Sequence, residues 1–103
     1  MKLIEKLSEH IEEEICDAKK YAECSLKYKE ENPMLAKTFY DISVEELKHM
    51  SMLHDEVVRA INEYKQQNGE PPEKMQAIYD YLHQRHIDDV NSVKVMHGIY
   101  KNG

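Results

Sequence analysis

Large apolar residues recur every three or four positions along most of this chain, the spacing of an amphipathic helix, and glycine and proline interrupt that pattern at only a few places. Ile4, Leu7, Ile11, Ile15, Ala18 and Ala22 predict a first helix over about residues 3–30. After a short Glu31-Asn32 connection, Pro33 suits the first turn of a second helix, which should run over about residues 33–67 to an Asn68-Gly69 stop signal. A third, less hydrophobic helix should follow Pro71-Pro72 over about residues 72–100, with Met75, Ile78, Leu82, Val90, Val93 and Tyr100 at helical spacing and Gly98 fraying its last turn. No strand pattern competes. The expected fold is all-α: a single domain, residues 1–103, in which short connections force an antiparallel, up-down-up three-helix bundle or part of a larger bundle completed by a second chain.

Polar residues break into these apolar stripes. With Ile42 as zero and near 100° per residue, Leu35, Phe39, Leu53, Val57 and Tyr64 fall between roughly +20° and +60°, and Glu46 (about +40°) and His49 (about −20°) fall beside them. On the first helix Glu14 flanks the stripe, whereas Glu13 points away from it. On the third, His86 and Asp89 lie inside the stripe and repeat the geometry of Glu46-x-x-His49.

Residues equidistant from a turn between antiparallel helices lie at similar heights. Counting from the two turns places Glu14, Glu46, His49, His86 and Asp89 in one band about two helical turns deep, with Glu56 able to join from one side. Carboxylates and imidazoles held on apolar faces need compensation, since an unpaired charge there costs several kcal/mol. Iron or manganese suits this mixture of oxygen and nitrogen donors. Zinc is also a candidate, although an acid-rich set without thiolate is less typical of structural zinc. The competing explanation is a buried ionic network that pairs the carboxylates with Arg85 and the histidines.

From Glu14 through Tyr21 to Glu46-Leu-Lys-His49 the chain resembles the ferritin-like superfamily, particularly its rubrerythrin-type and encapsulated-ferritin-type members. There a first-helix Glu is followed by a Tyr two turns later, then by a short turn and a second helix with an aromatic residue shortly before Glu-x-x-His; Glu14, Tyr21, Phe39 and Glu46-x-x-His49 stand in those positions. The resemblance implies a helical hairpin plus a third helix and a di-iron centre. Glu14 would be a terminal or bridging carboxylate, Glu46 a bridging one, His49 a nitrogen ligand, and Tyr21 a nearby hydrogen-bonding or redox-active side chain. Full-length members add a second Glu and a second Glu-x-x-His, which this chain lacks. Either two chains share a site, each giving Glu14, Glu46 and His49, or His86 and Asp89 complete it within one chain.

A net charge of −6 without a clustered basic face argues against nucleic acid or an anionic membrane as partner. The apolar runs are short and charge follows Met1 at once, so neither a membrane span nor a signal peptide is expected, and the chain reads as soluble and cytoplasmic. Cys16 and Cys24 fit no metal or redox spacing and read as ordinary thiols. His10, His54, His83 and His97 fall at stripe edges or outside, with His10 one turn before Glu14. The leading expectation is an iron-binding protein, as homodimer or higher homo-oligomer, with ferroxidase or peroxide-reactive chemistry. The alternative is a non-catalytic oligomerisation or adaptor protein whose buried polar residues set pairing register.

Overall fold

The computed structural model describes residues 1–103 as three helices and no strand: α1 (Lys2–Lys27), α2 (Pro33–Asn68) and α3 (Glu73–Asn102). The first helix ends three residues sooner than its pattern suggests. Tyr28 donates its backbone N–H to the Cys24 carbonyl and the next residues form a turn, because α2 must begin at once: Asn32 caps it by accepting the Leu35 N–H at 3.3 Å, with Pro33 in the first turn. At the far end of α2, Gly69 adopts φ 78°, a conformation that favours glycine, and its N–H closes the helix on the Lys65 carbonyl. Gly98 does not fray α3, which continues through it to Asn102; the Lys29 ammonium donates to the carbonyls of Ile99 and Tyr100 and satisfies that terminus.

The central element is α1. Small residues on it and on α2 (Ala18 and Ala22; Ala36, Ser43 and Ala60) are buried and let these two helices approach closely along their lengths, whereas α3 packs on α1 and scarcely approaches the α2 backbone. The main core gathers Ile11, Ile15, Ala18, Ala22 and Val93, with Leu47, Met50, Leu53 and Val57 packed against it. A second core of Ile4, Ala60 and Tyr79 closes one end of a rod of 55 × 18 × 17 Å, where the Met1 amino group donates to the Tyr79 hydroxyl at 3.1 Å. Midway, the buried Ser43 hydroxyl of α2 donates to the Ala18 carbonyl of α1 at 2.6 Å. Burying an unpaired hydroxyl would cost about 1–3 kcal/mol, so this bond helps fix the pairing of α1 with α2.

Two of the expected stripe residues, Leu35 and Ile78, are exposed instead. Packed mainly on α1 and touching α2 only through side chains, α3 buries a narrow face, namely Tyr79, His86 and Val93 at seven-residue intervals, and leaves Ile78, Ile87, Val95 and Ile99 in solvent. No helix is long and apolar enough to cross a membrane.

Candidate metal centre

Glu14 lies on α1 between the buried Ile11, Ile15 and Ala18, displaced toward the side that α2 covers and α3 does not. Glu46 and His49 are one turn apart on α2 and so share a face. The two helices bring all three together: one ligand atom from each lies within 4.8 Å of the others. His49 Nδ1 stands 3.5 Å from Glu14 Oε2 and 3.9 Å from Glu46 Oε2. The carboxylates are largely covered, with side chains 27% and 19% exposed, while the imidazole is 52% exposed and gives the group an open side.

Packing two carboxylates together has an electrostatic consequence. The Glu46 carboxyl is pushed up to about 7, first by hydrogen bonding to Glu14, then by burial and by the Glu14 charge; His49 acts in the opposite sense and Asp17 adds to the rise. Apart from the proton that Glu46 retains, the buried Glu14 Oε2 has no hydrogen-bond donor. The group is therefore short of positive charge, which His49 supplies only when protonated and only at a distance too long for a hydrogen bond. A divalent cation fits this deficit, and two carboxylates plus one imidazole is a donor set for iron or manganese.

The other expected ligands are not part of this group. Glu56 is exposed and paired with Arg59 on its own helix. His86 is buried but meets Glu12, with Nε2 3.6 Å from Oε1, and Asp89 is exposed in a shallow cleft between α1 and α3 that Glu12 and Arg85 also line. The reason is angular: Glu12 and Glu14 are two residues apart and hence roughly 200° apart around α1, so whatever α3 presents to Glu12 cannot reach Glu14. The expected level was close; the face was wrong. Arg85 likewise pairs with Glu12, at 3.7 Å, and not with the stripe carboxylates. Tyr21 stacks on Phe39 at 6.0 Å between ring centroids and makes no hydrogen bond to the three residues. His10 pairs with Glu13 at 3.7 Å, both exposed.

Of the histidines expected at stripe edges or outside, His83 is exposed as expected, whereas His54 and His97 are half-buried, and all three make specific contacts. His97 packs edge-on against Tyr40 and meets the Ser43 hydroxyl at 2.7 Å. Since that hydroxyl spends its proton on Ala18, His97 is the donor, through Nε2–H, and its neutral form is favoured by burial and then by Lys101, which push it below the usual histidine value. His54 and His83 stack across the gap between α2 and α3. The height count used for Glu14 carried this signal, because His54, fifteen residues before Gly69, is level with the stretch from His83 to His86 counted from Glu70. No protein-family model, curated protein or solved structure matches the chain.

Proposed function

We propose that this chain is a ferritin-like metal protein in which Glu14, Glu46 and His49 hold iron, with manganese or zinc as the competing ions, and that it acts as a ferroxidase or oxygen- or peroxide-reactive oxidoreductase. The observation that carries the reading is the convergence of these three side chains around the buried Glu14 Oε2. Iron held there supplies electron-transfer chemistry toward oxygen or peroxide. The residues do the rest. Glu14 and Glu46 provide the negative charge and oxygen donors, and Glu46 gives up the proton that its neighbour makes it keep near neutrality. His49 offers Nδ1 at the open side, where solvent and a small oxidant reach the site.

Three side chains leave part of a six-coordinate ion open. The chain course consistent with the contacts, Ile4 with Ala60, Glu14 with Glu46 and Ala18 with Ser43, is up, down and up, and the α1–α2 face bearing the triad is the one α3 leaves free. A second copy laid on that face brings its own Glu14, Glu46 and His49 and makes a shared di-metal centre in a homodimer. Tyr21, two turns after Glu14 on the same helix, is the second side chain this reading would place near the centre.

The test is metal analysis of protein loaded anaerobically with ferrous iron and desalted, compared with the Glu46→Ala/His49→Ala double variant. Wild type should retain iron that the variant loses, and oxygen uptake by the loaded protein should follow the retained iron. Equal retention by the two proteins defeats the proposal.

A further inference from the structure

Separate from the triad, α2 and α3 splay apart and leave a groove of about 250 Å³ floored by Ile4 and Ile11. Three imidazoles line it, His54 from α2 and His83 and His86 from α3, and the proposed iron site uses none of them. His83 and His86 are three residues apart and share a helical face. The His54 and His83 rings stack across the gap, 5.1 Å between centroids and 20° between planes, so the two helices whose backbones hardly approach are joined here by histidines.

Packing does not explain this grouping. His86 is only 8% exposed, and its Nε2 is buried with no hydrogen-bond partner. A buried polar atom in that state is costly unless something completes it. Glu12 Oε1 lies 3.6 Å away, too far for a hydrogen bond, so that nitrogen finds no partner in the fold. Asp80, one turn before His83 and held by Gln76 at 2.9 Å, adds a carboxylate to the same wall. Imidazole nitrogens with at most one carboxylate suit a borderline cation such as zinc and differ from the acid-rich set at Glu14. The three rings do not converge as tightly as Glu14, Glu46 and His49 do. His54 and His83 are not buried, and the broad χ2 preference of histidine lets them turn toward one ion at small cost. Lys94 lines the adjoining cavity together with all three histidines.

We propose that His54, His83 and His86 form a second, imidazole-rich metal site for zinc or a similar divalent cation, and that the ion clamps α2 to α3. The site is independent of the iron reading because it shares no residue with Glu14, Glu46 and His49.

Zinc titration of the full-length Glu46→Ala/His49→Ala variant tests it, with competition against a chromophoric chelator as the readout and hydrogen exchange of α3 as a second measurement. This variant should bind one zinc per chain, and zinc should slow exchange around His83 and His86. Adding His54→Ala or His83→Ala should weaken binding at least about tenfold. Neither of these side chains belongs to the buried core, so both variants should keep the helical circular dichroism of the parent. Absence of zinc binding by the Glu46→Ala/His49→Ala variant, or binding indifferent to His54→Ala and His83→Ala, overturns the proposal, whatever the outcome of iron loading at Glu14.

Discussion

His49 Nδ1 lies 3.5 Å from Glu14 Oε2, across the α1–α2 pair and 35 positions away in sequence, and that oxygen is buried with no hydrogen-bond donor other than the Glu46 carboxyl. The distance is too long for a hydrogen bond and short enough for a cation to bridge. The consequences concern protonation first, because Glu46 shares the same space.

Glu46→Gln should stabilise the metal-free protein at alkaline pH and not at acid pH. With its value at about 7 in the folded chain and 4.5 as the reference, Glu46 keeps in the folded state a proton that the unfolded chain releases across that window. Stability therefore falls as pH rises from 4.5 to 7, and the full penalty is present above 7. After allowance for solvent at this half-open site, the gain from Glu46→Gln should be about 1 kcal/mol near pH 8 and negligible near pH 4. Urea unfolding at the two pH values measures it.

Metal affinity should depend on the same proton. Below about 7 the ion must displace it, so affinity should drop about tenfold per pH unit between pH 7 and pH 6 and flatten above pH 8. Calorimetric titration of manganese in buffers of different ionisation enthalpy should register release of close to one proton at pH 6.

The Ser43–His97 contact makes a prediction of opposite sign. Burial keeps His97 below its reference value of 6.5, so the unfolded chain gains a proton there that the folded chain resists, and stability is lost as pH falls below 6.5. Because Glu46 acts the other way over part of this range, the comparison belongs in a Glu46→Gln background. There His97→Gln, which keeps a donor for Ser43 but does not titrate, should lose less stability between pH 7 and pH 5 than its parent. Ser43→Ala, which strands the His97 N–H, should cost about 1–3 kcal/mol at pH 7.

If two chains share the ion, chelator should loosen the dimer. Light scattering of metal-loaded protein should give twice the 12.2 kDa chain mass, and removal of metal or Glu46→Ala/His49→Ala should shift it toward one chain. A mass indifferent to metal contradicts the shared site.

The helices were legible because their stripes are regular and their breaks are marked: Asn32-Pro33 and Gly69 do in the fold what those residue types do in general. The triad was legible for a related reason. Glu46 and His49 share one helix, so their spacing decides that they meet, and Glu14 needed only the height count across one short turn. Residues on α3 failed the same reasoning. Its apolar residues spread around the helix, with Ile78, Ile87, Val95 and Ile99 exposed, so the pattern does not mark which face meets α1 or on which side of α1 the helix settles. Height along a bundle can be counted from a turn; the side of a neighbour cannot. That is why His86 and Asp89 were expected with Glu14, while His86 lies beside Glu12 and Asp89 in the cleft that Glu12 lines.

Anomalous diffraction from crystals grown anaerobically with ferrous iron, recorded at the iron edge, tests the metal centre most directly. The account predicts an anomalous peak within bonding distance of Glu14, Glu46 and His49. Crystals that hold iron only elsewhere, or show no peak between these three side chains at saturating iron, would contradict it.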